Sequence, residues 1–219
     1  MIPTFISRYT VESYLKHDYY QKIYPYIKNK KVLDVGCVDD NIDLANQKRL
    51  WNHWFIYRAA KQTLGIDIEK KSIDKMKRMD FNVKTMSAEK MSFENEFDTV
   101  FAGELIEHLI NPGLFLKKAK KALRKNGKIV LSTPNTYSVN RLARVFLLHT
   151  NEPPVNIDHT TYFTPQTIST LARKCGLKVS KFDYAYFPFT QISHLARINK
   201  IACSFLGERF KEQLIAVIQ

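Results

Sequence analysis

Lys31–Cys37 reads KVLDVGC, an apolar, β-branched run broken by one acid and closed at Gly36. A short run that is apolar on both alternating faces and ends at a glycine is the pattern of a strand buried inside a parallel sheet. The same pattern recurs downstream as LGIDIE (64–69), NVKTM (82–86), FDTVFAG (97–103) and GKIVLST (127–133). Helix-patterned segments separate these runs: RLWNHWFIYRAAK (49–61), the basic EKKSIDKMKRM (69–79), and ELIEHL leading into a lysine-rich helix. In that last helix, Phe115, Ala119, Ala122 and Leu123 fall on one face and the lysines between Leu116 and Lys128 on the other. Strands alternating with helices predict an α/β fold with parallel strands and helices on both faces of the sheet.

The flanks are less regular. LKVSKFDYAYF (177–187) reads as a sixth strand and EQLIAVI (212–218) as a closing one, while Thr164 followed by Pro165 caps a helix that Gly176 stops. Residues 190 to 206 read as an inserted amphipathic helix, and residues of about 5 to 27 as one or two helices. The expected organisation is therefore an N-terminal helical cap over 1–30 and one domain over 31–219.

Composition narrows the classes. Of 219 residues 45% are hydrophobic and 25% charged, with only 7 Gly and 8 Pro, which excludes collagen-like and largely disordered chains. No apolar stretch is long enough to cross a bilayer. MIPTFISRYTVESY lacks the basic and apolar regions of a secretory signal, and three cysteines in unrelated contexts point to a reducing compartment, so a cytoplasmic location is expected. The net charge of +13 favours anionic partners without choosing among them.

Ligands of open α/β sheets bind at the carboxyl ends of the strands, beside the point where strand order reverses. After the first strand, Asp34 and Gly36 flank a turn where a missing side chain admits a ligand. After the second, Asp67 offers a carboxylate fork suited to two ribose hydroxyls. After the third, Ser87, Ala88 and Glu89 are placed to line a base pocket. After the fourth, Glu104, Glu107 and His108 stand at i, i+3 and i+4, positions that share one helical face and suit a divalent ion held by oxygen and nitrogen. Asp158 and His159 lie in a loop that the fold brings back over the end of the fifth strand.

Taken in succession, VLDVGC, GIDIE, SAEKMSF, FDTVFAGELIEHL and GKIVLSTPN closely resemble the class I S-adenosylmethionine-dependent methyltransferases, over roughly residues 30 to 185. The resemblance implies a Rossmann-like seven-stranded sheet with its last strand antiparallel. It implies a cofactor site of Asp34, Gly36 and Cys37 for the methionine part, Asp67 with Ile68 at the ribose, Ala88 with Glu89 near the adenine, and Ala102 with Gly103 beside the sulfonium. Family members usually continue with two further glycines where this chain has Val38, Asp39 and Asp40, and a subset similar to polysaccharide-modifying enzymes shares that departure together with residues like Trp51 and His53. ELIEHL, STPN and the later His159 resemble two branches: ubiquinone-pathway O-methyltransferases, and enzymes that methylate the 2′-hydroxyl at the 3′ end of small RNAs. The second implies that Glu104, Glu107, His108 and His159 hold one divalent metal.

The leading expectation is an O-methyltransferase acting on a hydroxyl of a sugar, a glycan precursor or another small or lipid-linked metabolite, with His108 and Glu107, or the metal they help hold, activating that hydroxyl. Two alternatives stand beside it: an RNA 2′-O-methyltransferase, to which the positive charge suits a nucleic acid partner, and a non-catalytic scaffold of the same fold. The stripe of apolar residues in 190–206 also suits peripheral contact with an anionic membrane.

Overall fold

A computed structural model of the chain describes residues 9–38, 50–147, 157–186 and 194–219. Seven strands form one sheet: β1 (Lys31–Val35), β2 (Gln62–Asp67), β3 (Val83–Thr85), β4 (Phe97–Gly103), β5 (Leu123–Pro134), β6 (Val179–Ala185) and β7 (Gln213–Ile218), in the order β3-β2-β1-β4-β5-β7-β6. Strands β1 to β5 run parallel, and β7 is antiparallel to both β5 and β6. The Rossmann-like sheet expected from the sequence is therefore present. Strand order reverses at β1, which pairs with β2 on one side and β4 on the other, so the carboxyl ends of β1 and β4 flank the crevice where ligands of such sheets bind.

The pleat divides the core into two layers. Leu33, Val100, Ala102, Ile129, Leu131, Leu214 and Ala216 face one side, and Val32, Phe101, Val130, Ile215 and Val217 the other. Against the first side pack the helices α5 (Pro112–Ala122) and α7 (Pro165–Lys174), through Phe115, Leu116, Ala119, Ile168 and Ala172. The second side receives α2 (Asp18–Ile27), α3 (Asn52–Ala59) and α4 (Lys70–Arg78), which follow a short α1 (Val11–Tyr14). Tyr19, Tyr20, Ile23 and Ile27 of α2 are fully buried there, so the N-terminal helices are a structural layer of the sheet. Each such side chain contributes about 1.5–3 kcal/mol by leaving water.

Two segments differ from expectation. The lysine-rich helix ends at Ala122, and Leu123 already pairs with Phe97 as part of β5. The cause is a turn at Asn126 (φ 66°) and Gly127, where an added Cβ would come within 2.9 Å of Leu123 Cδ2 and 3.0 Å of the Arg124 carbonyl. ELIEHL forms no helix beyond one 3-10 turn, Ile106–His108, because Glu104 takes a left-handed φ of 53° and redirects the chain. Two further helices complete the description, α6 (Val139–Leu147) and α8 (His194–Leu206). The expected 190–206 helix is thus seen from His194, and its first residues, like Asp39 and Asp40, lie outside the described residues.

Candidate active site

The turn after β1 is built by backbone. Gly36 adopts φ 76°, and its N–H and that of Cys37 both donate to the Ile66 carbonyl, at 2.9 and 3.2 Å. A Cβ at Gly36 would sit 3.1 Å from Leu105 Cδ1, so this turn and the loop after β4 close on each other around a glycine. Asp34, expected beside the cofactor, is instead committed inward. It is 2% exposed, and its Oδ2 lies 2.7 Å from His53 Nδ1 on α3. Gly65 makes room for that imidazole, since a Cβ there would be 2.8 Å from His53 Cε1 and from Cys37 Sγ. Cys37 is buried too, and burial pushes its thiol well above the usual range. Its carbonyl accepts from Trp51 Nε1 at 3.1 Å, which leaves it a wall of the turn and not a polar contact.

Asp67 ends β2 with a carboxylate fixed by two backbone N–H groups, Val38 to Oδ2 at 3.1 Å and Glu69 to Oδ1 at 3.0 Å. Those donors leave outward lone pairs for hydroxyls, while burial raises its pKa against them. Ile68 beside it is 74% exposed, an apolar side chain presented at a strand end. Ala88 is buried, and Glu89 serves the fold at least in part, because its Oε1 accepts from Asn111 N–H at 2.6 Å where α5 begins. Ala102 is buried, and Gly103 lies under Asn52, whose Nδ2 would be 3.0 Å from an added Cβ. Gly36 and Gly103 let Leu105, Phe101 and Asn52 pack close against the ends of β1 and β4, beside the strand end that carries Asp67 and Ile68.

Just past β4 lies the second cluster. Glu104 turns toward β5 and β7: Oε1 accepts from Ser132 Oγ at 3.3 Å and Oε2 from Gln213 Nε2 at 3.2 Å. Burial pushes its pKa up to about 7 against those hydrogen bonds. Tyr19 of α2 reaches the same network, its hydroxyl 2.9 Å from Ser132 Oγ. Glu107 is 1% exposed, and among the described residues neither carboxylate oxygen has a hydrogen-bond partner. Burial, and then the charge of Glu104, hold its pKa well above the ordinary carboxylate range.

The His108 and His159 rings meet edge to face at a centroid distance of 4.6 Å. Ligand atoms of Glu107, His108 and His159 lie within 4.8 Å of one another. Glu104 is not of that group, which corrects the four-residue set: its left-handed backbone breaks the helical spacing that was to bring it onto the same face. His159 arrives from far in sequence because Thr160 stitches its loop to the turn, N–H to the Glu107 carbonyl at 2.8 Å and Oγ1 to the Glu107 and Leu109 carbonyls at 3.0 Å. Tyr19, Gln213 and Arg141 stand in no motif, and Ser132 opens the STPN stretch without having been singled out in it. Arg141 is half-buried, and burial lowers its pKa against the charges of Glu104, Tyr162 and Glu107.

The chain matches a family described as a methyltransferase domain over residues 11–181. A ubiquinone biosynthesis O-methyltransferase of Pelagibacter ubique is 25% identical over 167 residues, which cover 72% of this chain and 65% of that protein. One of the same name from Azoarcus is 25% identical over 186 residues, covering 78% and 74%. Among solved structures, a SAM-dependent methyltransferase of Archaeoglobus fulgidus superposes with a TM-score of 0.58 at 21% identity, covering 96% of this chain and 94% of the other. The [4+2]-cyclase SpnF shares the fold at a TM-score of 0.53, 11% identity and coverage of 91% and 81%, so likeness of fold alone does not name the reaction. With more than half of its length matched by the domain, this chain belongs to the class I S-adenosylmethionine-dependent methyltransferase family.

Proposed function

We propose that the chain transfers the cofactor's methyl group to a hydroxyl oxygen of a small or lipid-linked metabolite, activated at Glu107, His108 and His159. One observation carries this reading: a fully buried carboxylate with neither oxygen hydrogen-bonded among the described residues, beside two imidazoles, at the strand end where the sulfonium would lie. A buried carboxylate without a donor is costly and calls for a cation or a proton. Two imidazoles and a carboxylate suit manganese, iron or zinc, and such an ion, when bound, lowers the pKa of a coordinated hydroxyl. The residues do the rest. Asp67 holds the ribose; as oxygen attacks the methyl carbon and the S–C bonding pair returns to sulfur, the hydroxyl proton goes to His108 when no ion is bound, and to solvent when the two imidazoles serve as ligands of the ion. Positioning of the two reactants in line supplies much of the rate.

The curated relatives named for ubiquinone biosynthesis are O-methyltransferases, which supports oxygen as the acceptor atom and gives a glycan acceptor no particular support. The chain spans about two thirds of the first of these in length, 65% and 63%. A lipid-linked acceptor also suits the exposed Phe146 and Leu147 on α6 and Ile201, Phe205 and Leu206 on α8, two helices tied together because Asn140 and Asn199 both donate to Glu212 Oε1. No described helix is long and apolar enough to cross a membrane. The test is calorimetry with manganese on the S-adenosylhomocysteine-loaded protein, followed by turnover over a panel of hydroxylated acceptors with and without chelator. Metal binding lost in Glu107→Gln and turnover lost in chelator are expected. Full turnover in chelator with no metal bound overturns the metal, and methylation of nitrogen or carbon alone overturns the acceptor.

A further inference from the structure

Glu104 carries its side chain through a backbone conformation that side chains avoid. Its φ of 53° lies in the left-handed region, where a Cβ crowds the backbone, so the bend persists only because the surroundings hold it. The holding contacts come from three elements. The Glu104 N–H donates to the Ser132 carbonyl of β5 at 3.0 Å, Ser132 Oγ donates to Oε1 at 3.3 Å, and Gln213 Nε2 of β7 donates to Oε2 at 3.2 Å. A serine hydroxyl has one proton, so with that proton on Glu104 the 2.9 Å contact between Ser132 Oγ and Tyr19 is a donation from the Tyr19 hydroxyl of α2. Ser132, Tyr19 and Gln213 are all buried, so water competes little for these bonds. Immediately after the bend, Leu105 packs against the cofactor turn, its Cδ1 3.1 Å from the place of a Cβ on Gly36. Glu107 and His108 follow in the 3-10 turn, where the His108 N–H donates to the Leu105 carbonyl at 3.0 Å.

We infer that Glu104 is a positioning residue: its carboxylate, clamped by Ser132, Gln213 and, through Ser132, Tyr19, locks the bend that sets Leu105 against the cofactor turn and aims Glu107 and His108 at His159. Its part in the metal cluster rests on the transfer just proposed, whereas its part at the cofactor turn rests on the family alone. The N-terminal helical layer thereby reaches the active site, since Tyr19 is the last link of the clamp. The clamp needs two polar atoms and not a charge. Gln213 Oε1 is buried and has no hydrogen-bond partner among the described residues, so a turned Gln213 amide accepts from an amide at position 104 as it now donates to the carboxylate. Glu104→Gln therefore keeps the clamp. Glu104→Ala removes it and leaves a Cβ in the crowded conformation, and Glu104→Gly removes both clamp and crowding.

The experiment is calorimetry on the full chain, first with S-adenosylhomocysteine in the absence of metal, then with manganese on the loaded protein. In Glu104→Ala the first affinity is expected to fall about tenfold and the second by about 10–100-fold, the range for residues that orient metal ligands. Glu104→Gln is expected to keep both within about twofold of wild type, with Glu104→Gly between the two. Gln213→Met, which loses one donor, should weaken both about threefold on its own and not at all in the Glu104→Ala background, because it acts through the same carboxylate. Cooperative urea unfolding shows which variants are folded, and if Glu104→Ala is not, Glu104→Gly and Gln213→Met carry the same comparison. Unchanged S-adenosylhomocysteine affinity in folded Glu104→Ala overturns the proposal. Equal losses in Glu104→Gln and Glu104→Ala overturn it too, because the charge and not the clamp would then be what matters. A wild type that binds no manganese removes the metal reading and leaves the S-adenosylhomocysteine arm to decide the clamp. Manganese binding that survives while neither affinity responds to Glu104→Ala removes the clamp and leaves the metal reading standing.

Discussion

Asp34 at the end of β1 and Glu107 just past the end of β4 are buried to the same degree, 2% and 1% exposed, at the same edge of the sheet. Asp34 is met by His53 at 2.7 Å from a helix of the fold, whereas neither oxygen of Glu107 has a hydrogen-bond partner among the described residues. A buried carboxylate must be paired, protonated or bound to a metal. The first has its partner supplied by the chain, across Gly65, and is a brace beneath the cofactor turn. The second is left open by the chain, with two imidazoles beside it. Thr133 is near enough to lower the Glu107 pKa slightly but is not in hydrogen-bond geometry with it.

The comparison breaks most visibly at His53. His53→Ala strands a buried carboxylate in the core and is expected to cost about 3–5 kcal/mol of stability, read as a shift of the urea midpoint. A loss below about 1 kcal/mol would mean that Asp34 is not carried by that pair. Glu107→Gln should do the reverse. It removes an unpartnered acid, so the metal-free fold keeps or gains stability, while turnover falls by about 10²–10⁴-fold, the range for a group acting on the transferred proton or the ion that replaces it.

The pH dependence sharpens the same contrast. Glu107 holds its proton in the folded chain well above the ordinary 4.5. Between that value and its folded pKa the folded state therefore binds more protons than the unfolded state, and stability falls as pH rises. The same sign applies to Glu104 between 4.5 and about 7. Urea unfolding of the metal-free protein at several pH values should show wild type losing ground to Glu107→Gln as pH rises above 4.5, with manganese closing the gap. A constant difference across that range would place the Glu107 pKa near its ordinary value and remove the argument for a ligand.

The smallest effect is expected at Asp67, a carboxylate treated midway between the two: braced by Val38 and Glu69 N–H groups on its inner lone pairs and open outward. Asp67→Ala should weaken S-adenosylmethionine binding by about 1.5–3 kcal/mol, the range for hydrogen bonds to a charged group, with little change in stability. Unchanged affinity by calorimetry would put the ribose elsewhere.

Much of this architecture was legible in the chain itself. The strand-helix alternation, the seven strands and the acids at strand ends follow from hydrophobic period and turn residues, which act over a few neighbours, so KVLDVGC and FDTVFAG are strands for local reasons. The extent of the lysine-rich helix was misread for a local reason as well: the tight turn at Asn126 and Gly127 outweighs an apolar spacing that runs through to Leu123. The partnering of Asp34 with His53 was not legible, since 19 residues and a strand crossover separate them and the contact exists only where Gly65 clears space.

The candidate site divides along the same line. By itself the sequence determined that two glutamates and a histidine would follow β4 and that His159 would lie in a returning loop. Which of them converge was decided by one backbone angle, φ 53° at Glu104, and by the Thr160 hydrogen bonds that hold His159 against His108. Spacing along a chain sets which residues share a face only while the backbone stays helical. Once Glu104 leaves the helical region, the direction of every later side chain, and the closure of a loop 51 residues away onto Leu109, depends on tertiary contacts that no local pattern encodes.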